Sequence, residues 1–143
     1  MNINKVFKGF SKWALVTGAA SGMGRIYARR LALMGYNVVI VDINKAGLDQ
    51  TAEIVSSAIA SSEKITEARK QEFRILTLVQ DLSVIDAADQ IYSRTQEEGC
   101  EVEVLVNNAG IMYCQAIHAT TERTLSLIMM VHMYTPMMLC RKY

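Results

Sequence analysis

An eight-residue stretch near the start of the chain, Thr17 to Gly24 (TGAASGMG), constrains the fold more than any other feature of the sequence. It has three glycines among small side chains, so its backbone is open to close approach by another group. The apolar run WALV precedes it, and RIYARRLALMG, which follows it, is typical of a helix that ends at Gly35. A strand, a glycine turn and a helix present backbone N–H groups and a positive helix end to a phosphate. A P-loop is excluded, because the fifth position after Gly18 is Met23 and no lysine follows it. On this octet alone, a glycine turn that binds no ligand is the alternative.

The segment after this helix indicates which phosphate compound the turn would bind. NVVIVD, from Asn37 to Asp42, predicts a second strand that ends in a carboxylate. An acidic residue about 20 positions after the glycines, at the end of the second strand, can accept hydrogen bonds from a ribose diol. The position of Asp42 therefore favours a dinucleotide site over a turn without a ligand.

The rest of the chain alternates between strand and helix patterns. Beyond the first strand (13–17) and its helix (22–34), we expect strands at 37–42, 74–81 and 102–110, a helix opened by Asn44 and another at 86–99. The polar segment 61–73 is expected to be a solvated helix end or a loop. This alternation predicts an α/β fold: a Rossmann-like, doubly wound parallel sheet in strand order 3-2-1-4, with the ligand crevice between strands 1 and 4. Residues 13–143 form this one domain, and residues 1–12 form an N-terminal extension.

Composition limits the partners that the chain would bind. Lysine and arginine total 15 against 14 acidic residues, so no basic surface indicates nucleic acid. The three cysteines, at 100, 114 and 140, lack the spacing of a metal site and suit a reducing cytoplasm. The first residues contain no apolar stretch typical of a signal peptide or membrane anchor, so we expect no membrane association.

Four motifs together resemble the short-chain dehydrogenase/reductase family. They are TGAASGMG, VDIN after the second strand, DLS after the third and NNAG after the fourth. The resemblance runs from Trp13 to the last residue, whereas members of the family usually continue well beyond this point. It therefore implies the NAD-binding portion of such an enzyme, truncated before the later strands.

The resemblance also implies which residues bind the cofactor. The turn that holds the pyrophosphate and the acid that holds the adenosine ribose match Gly18, Ser21, Gly22, Met23, Gly24 and Asp42. The pair beside the adenine, and the segment that supports the central sheet and passes under the nicotinamide ribose, match Asp81, Leu82, Asn107, Ala109 and Gly110. The alternative for Asp81 is a helix N-cap, a role that Ser83 would also fill, and the alternative for Asn107 and Asn108 is a turn that bonds to itself. Asn107, the first asparagine, is expected to stabilise contacts between strands.

Asp42 indicates NAD rather than NADP as the cofactor. Its carboxylate would lie against the 2′-phosphate of NADP, and such a like-charge contact costs several kcal/mol. Relatives that prefer NADP usually carry a basic residue where this chain has Ser21 or Ile43. Arg25 follows the third glycine, and we expect it to be a surface residue of the helix.

The catalytic groups of the family are absent from the chain. The family uses a serine and a Tyr-x-x-x-Lys pair, and no tyrosine here has a lysine four positions later. The last helix, 124–143, is apolar on nearly all faces, as expected of a helix that packs on the sheet and on a second copy in a homo-oligomer. Within it, His132 aligns with an asparagine whose backbone carbonyl takes part in the family's proton relay. Pro136 has no N–H to donate to that carbonyl. The alternative for His132 is a hydrogen-bonded core histidine in a helix kinked for packing.

Two functions therefore remain. The first is an NAD(P)-dependent oxidoreductase that transfers hydride between nicotinamide and a small carbonyl or alcohol substrate, represented here by its dinucleotide-binding part. The second is a non-catalytic nucleotide-binding or interaction module. The reading frame after codon 143 distinguishes them, since only the first requires a downstream serine and Tyr-x-x-x-Lys. Steroids, sugars, polyols and 3-oxoacyl groups all remain open as substrates.

Overall fold

The structure is a computed structural model that describes residues 12–143. The expected N-terminal extension, apart from Lys12, lies outside the described residues. Strands and helices alternate along the chain as β1 (Trp13–Thr17), α1 (Gly22–Leu33), β2 (Asn37–Asp42), α2 (Lys45–Ala60), α3 (Glu67–Glu72), β3 (Ile75–Val79), α4 (Ala87–Glu97), β4 (Val102–Val106), a 3₁₀ turn (Ile117–Ala119), α5 (Glu122–Met129), a π turn (Met130–Tyr134) and α6 (Thr135–Lys142).

The four strands form one parallel sheet in the order β3-β2-β1-β4, which confirms the predicted topology. β1 pairs with β2 from Trp13↔Asn37 to Thr17↔Val41, and with β4 through a register shift after Trp13. Because all four strands run the same way, their carboxyl ends and the loops that follow them meet at one edge. In open sheets of this kind ligands bind at that edge, where the order of the strands reverses between β1 and β4.

Two apolar layers cover the two faces of the sheet. On one face, Val16 and Ile40 pack against α1 and α2. On the other face, Leu15 and Val39 pack against α4 and the last helical segment. Successive residues of β1 and β2 point to opposite faces, and their apolar side chains are almost completely removed from water on both. The near-continuous apolar run in these strands follows from this double burial.

Three elements differ from the sequence prediction. The polar segment 61–73 contains a short helix, α3, with no buried residue. The strand predicted at 102–110 ends at Val106, because the backbone after it turns to contact the glycine loop. β4 is mostly half-buried rather than covered on both faces, since it is an edge strand of the described sheet.

The last helical segment is interrupted where the sequence indicated a distortion. One π turn, from Met130 to Tyr134, separates α5 from α6, and Pro136 lies just beyond it. The hydroxyl of buried Thr135 donates to the carbonyl of Leu82 at 2.8 Å, which ties this segment to the loop after β3. One face is buried within the chain, and Met129 and Met133 are about half exposed on the other, which is the face expected to pack on a second copy. No helix among residues 12–143 combines the length and apolarity needed to cross a lipid bilayer.

Candidate dinucleotide-binding site

A cavity of about 300 Å³ lies at the edge of the sheet where the carboxyl ends of the strands meet. The residues that line it come from the ends of all four strands and from α5 and the π turn. Six of the eleven residues expected to bind the cofactor line this cavity: Gly18, Asp42, Asp81, Leu82, Ala109 and Gly110. Ile43, Leu127 and Val131 add apolar wall to it. A larger cavity of about 580 Å³ between β3 and α4 contains none of the eleven.

The glycines of the turn after β1 have different physical roles. Gly18 has φ +65°, and a Cβ there would lie 2.7 Å from the Cα of Ala109, so a side chain would separate the turn from the segment after β4. A Cβ on Gly24 would lie 2.1 Å from the carbonyl oxygen of Gly18. Gly22 has φ +50° with open space where a Cβ would be, so its backbone faces the solvent. Gly18 and Gly24 therefore allow close packing, whereas Gly22 leaves the backbone accessible to a ligand.

The start of α1 is suited to an anion. Ser21 is the N-cap residue, its side chain makes no capping hydrogen bond, and the first turn carries no acidic residue. Ser21, Gly22 and Met23 are all exposed. The N–H groups of the first helical turn have no partner within the helix, and the helix dipole is positive at this end. A phosphate would accept hydrogen bonds from these N–H groups and place a negative charge at the positive end of the helix dipole.

Asp42 is held by backbone groups on either side of its carboxylate. The amide of Ala20 donates to Oδ2 at 3.1 Å, and the amide of Asn44 donates to Oδ1 at 3.0 Å. Each carboxylate oxygen can accept more than one hydrogen bond, so both can also receive a ribose hydroxyl. The carboxylate thus has a fixed orientation at the edge of the cavity.

Arg25 is not the surface residue that the sequence suggested. It is half-buried between α1 and α2, and its guanidinium donates to the carbonyl of Ala20 and the hydroxyl of Thr51. The sequence pattern does not show this role, because the partner Thr51 lies beyond β2, on the next helix.

Asp81 forms a local turn rather than a helix cap. Its Oδ1 accepts from the amide and the hydroxyl of Ser83 at 2.8 and 2.7 Å. α4 begins at Ala87 with Asp86 as its N-cap residue, so neither Asp81 nor Ser83 caps this helix. Asp81 and Leu82 both line the cavity.

The contacts expected of Asn107 are made by Asn108. The Nδ2 of Asn108 donates to the carbonyls of Thr17 at 3.0 Å and Gly18 at 3.2 Å, and the amides of Asn108 and Ala109 both donate to the hydroxyl of Thr17. Asn107 is exposed, and its side chain lies 3.5 Å from the thiol of Cys140. Asn108 and Thr17 are therefore the missed residues that join β4 to the glycine turn. The alternation of side chains along β4 is the signal that separates the two asparagines.

His132 lies beside the segment that follows β4. Its Nε2 is 2.8 Å from the carbonyl oxygen and 3.0 Å from the amide nitrogen of Ile111. The ring lies against Gly110, where a Cβ would be 3.0 Å from Cε1 of the imidazole. The side chain is exposed, so His132 is not the core histidine of the alternative interpretation. It bonds to a backbone that lines the cavity.

The titratable groups with a clear shift lie away from the cavity. Burial raises the pKa of the Tyr143 hydroxyl to about 12, and this hydroxyl is 2.6 Å from that of Thr95, where it ties α6 to α4. Burial likewise raises the pKa of the Cys100 thiol to about 11, which makes it a poor nucleophile. Among residues 12–143, no three His, Cys, Asp or Glu side chains converge to hold a metal ion.

The chain is similar in sequence to two longer proteins, a dehydrogenase and a reductase. It is 32% identical over 128 residues to the estradiol 17-beta-dehydrogenase 11 of Rattus norvegicus, covering 85% of this chain and 38% of that protein. It is 37% identical over 105 residues to the very-long-chain 3-oxoacyl-CoA reductase of Homo sapiens, covering 73% of this chain and 29% of that protein. The chain thus spans well under half the length of these relatives.

A solved structure has the same arrangement of strands and helices. It is a metagenomic short-chain oxidoreductase in complex with NADP, 25% identical, with a TM-score of 0.76 over 94% of this chain and 56% of that one. The family model for short chain dehydrogenases matches residues 12–143. The chain therefore belongs to the short-chain dehydrogenase/reductase family, of which it contains the N-terminal portion of the domain.

Proposed function

We propose that this chain is the dinucleotide-binding part of an NAD-dependent oxidoreductase that acts on a small carbonyl or alcohol substrate. The observation that carries the proposal is the cavity at the sheet edge. It combines a glycine turn, a fixed carboxylate and an apolar wall from separate strand ends, and only folding brings these groups together. A dinucleotide needs these three environments, for its pyrophosphate, ribose and base.

Each part of the site has a role in this proposal. The turn residues Ser21, Gly22 and Met23 bind the pyrophosphate through the start of α1. Asp42 accepts hydrogen bonds from the adenosine ribose, and Asp81 and Leu82 lie along the adenine. The nicotinamide supplies hydride transfer when the cofactor is bound. Asn107, Ala109 and Gly110 belong to the segment assigned to its ribose.

NAD is the proposed cofactor, although the short-chain oxidoreductase compared above is complexed with NADP. Support comes from the carboxylate of Asp42, which both neighbouring amides hold at the cavity edge. A 2′-phosphate there would meet a negative charge, and Ser21 and Ile43 beside it are neutral. Arg25 already donates to the carbonyl of Ala20 and the hydroxyl of Thr51, and Lys45 pairs with Asp49.

His132 is the one residue of the chain that we assign to the family's proton relay. Pro136 has no N–H to donate to the carbonyl of His132, and the π turn distorts the helix at this point. The imidazole holds Ile111 beside the cavity. The chain has no Tyr-x-x-x-Lys pair, so we infer cofactor binding without turnover from these 143 residues.

We further propose that a second copy of the chain covers the outer face of the last helical segment. Met129, Met133 and Met137 are each at least half exposed there and recur every four residues. An exposed apolar stripe of this kind is typical of a protein interface.

All three cysteines are free thiols, which supports a reducing compartment such as the cytoplasm.

Titration of the chain with NADH, followed by calorimetry, tests the proposal. We expect saturable binding at one site per chain, with ADP-ribose competing for it. Binding that saturates without competition by ADP-ribose would contradict the assignment of Asp42 and the glycine turn. Lack of any binding would favour the interaction module.

A further inference from the structure

The guanidinium of Arg25 lies within hydrogen-bond distance of four oxygen atoms. Its Nε lies 2.9 Å from the hydroxyl of Thr51, and its Nη2 lies 2.5 Å from the carbonyl of Ala20. The same Nη2 is 3.3 Å from Oε1 of Gln50 and 3.5 Å from the carbonyl of Gly47. All four acceptors are uncharged, so this cation is used to hold backbone and side chains in place rather than to pair with an acid.

The receiving segment, Ala19 and Ala20, is bonded at every backbone polar group. The amide of Ala19 donates to Val41 at 3.1 Å, and its carbonyl accepts from buried Thr51 at 2.8 Å. The amide of Ala20 donates to Asp42 at 3.1 Å, and its carbonyl accepts from Arg25. One side of the Ala20 residue is thus held by Arg25, and its other side holds Asp42.

α2 approaches this segment closely at Gly47. A Cβ on Gly47 would lie 2.7 Å from the Cβ of Ala20 and 2.9 Å from its carbonyl oxygen. Thr51, one helical turn later, is fully buried against Ala19. The segment is therefore packed against α2 on one side and bonded to Arg25 through the carbonyl of Ala20.

We propose that Arg25 is a positioning and specificity-determining residue, which acts through Ala20 on the carboxylate of Asp42. The inference rests on the proposed function, in which that carboxylate binds the adenosine ribose. Arginine suits the role because its donors form a rigid planar fork that can bond Ala20 and Thr51 at once. The fork holds the carbonyl of Ala20 directly and the carbonyl of Ala19 through Thr51. The peptide between Ala19 and Ala20, whose N–H bonds Asp42, is thereby fixed, and it orients the carboxylate for a ribose diol and against a 2′-phosphate.

The cofactor test compares Arg25→Gln and Arg25→Lys with Arg29→Gln, which changes an exposed arginine on the same helix. We expect Arg25→Gln to weaken the binding of NADH about tenfold, which is the effect of losing one well-placed charged hydrogen bond. The binding of NADPH should weaken by less than about twofold. Lysine, with one ammonium group, restores the affinity only in part. In an Asp42→Ala background, Arg25→Gln should change NADH binding by less than about twofold. Equal weakening of both cofactors, or additive effects with Asp42→Ala, would show a merely structural role and overturn the proposal.

A second measurement needs no cofactor. Hydrogen exchange of the Ala20 amide, followed by NMR in the ligand-free chain, should accelerate in Arg25→Gln and stay unchanged in Arg29→Gln. Unchanged exchange in Arg25→Gln would overturn the proposal even if NADH binds. If the parent chain fails to bind NADH, the proposed function fails, whereas the exchange rate still decides whether Arg25 holds Ala20. Should Arg25→Gln not fold by circular dichroism, Arg25→Lys replaces it in both measurements, with the same outcomes decisive.

Discussion

The backbone amide of Ala20 donates a hydrogen bond of 3.1 Å to the carboxylate of Asp42, and this bond joins the glycine turn after β1 to the end of β2. The group proposed to select the cofactor is therefore also part of the scaffold. A substitution at Asp42 changes both properties, and they are separable by measuring binding and unfolding on the same variants.

For cofactor choice, we expect NADH to bind at least about tenfold more tightly than NADPH, because the carboxylate of Asp42 repels a 2′-phosphate. Asp42→Ala should narrow this ratio. It should also lower the free energy of unfolding by about 1–3 kcal/mol, since the amides of Ala20 and Asn44 lose their acceptor. Calorimetric titration and denaturant unfolding measure the two effects. Equal or tighter NADPH binding by the parent chain would contradict the choice of NAD.

Gly22→Val tests the phosphate turn. The valine Cβ would enter the open space above the backbone at Gly22, where the pyrophosphate is proposed to approach, and we expect NADH binding to disappear. Gly99→Val is the matched control, because Gly99 has a similar φ of +65° and similarly open surroundings but lies at the end of α4. Both variants carry comparable backbone strain, so circular dichroism should show the same helical content in each. Normal NADH binding by Gly22→Val would mean that the turn is not the phosphate site.

The two asparagines after β4 should differ in their effect on stability. Asn108→Ala removes the donor to the carbonyls of Thr17 and Gly18, and we expect it to lower the free energy of unfolding by about 1–3 kcal/mol. Asn107→Ala changes an exposed side chain, so its effect should be within about 0.5 kcal/mol. Urea unfolding of both variants measures the difference. A larger loss for Asn107→Ala would reverse the assignment.

From the raised pKa of Tyr143 we expect the free energy of unfolding to decrease at high pH. Its pKa in the folded chain is about 12, above its ordinary value of 10.0, so the folded state favours the neutral phenol. The stabilisation is complete below pH 10 and is lost as the pH rises through 12, because the unfolded chain ionises first. Tyr143→Phe removes this titration, and Thr95 still donates to the carbonyl of Tyr92 at 2.9 Å. Between pH 9 and 11, the thermal midpoint should therefore fall further in the parent chain than in Tyr143→Phe. If the thermal midpoints of the two chains fall equally with pH, the phenol of Tyr143 contributes nothing to the pH dependence of stability.

Turnover by the 143-residue chain should be undetectable. A positioned general acid contributes roughly 10²–10⁴ in rate, and the chain lacks the tyrosine and lysine that supply it in the family. The assay follows NADH absorbance with a panel of ketones and aldehydes, alongside calorimetry to establish that the cofactor binds. Robust oxidation of NADH would contradict the prediction, and His132→Ala would then be the first variant to test.

Local pattern in the sequence was sufficient for the presence of the four strands and for the order in which they pair, whereas the end of β4 was predicted wrongly. The bounds of β1 and β2 agree with the prediction residue for residue, because an apolar run between turn residues is a property of neighbouring positions. The spacing from the glycine turn to Asp42 placed the acid at the right strand end. The alternation of strands and helices then left few topologies, since parallel connections are right-handed and short.

The tertiary structure decided which side chain of each candidate group makes the contact. Asn108 rather than Asn107 bonds Thr17, a residue 91 positions earlier, and Arg25 turns into α2 rather than to solvent. His132, which lies within the π turn, bonds Ile111 of the segment after β4. These choices depend on distances between segments that are remote in sequence and on directions set by a single helical or strand residue. Hydropathy and spacing along the sequence contain neither these distances nor these directions, so only the folded chain determines which side chains make the contacts.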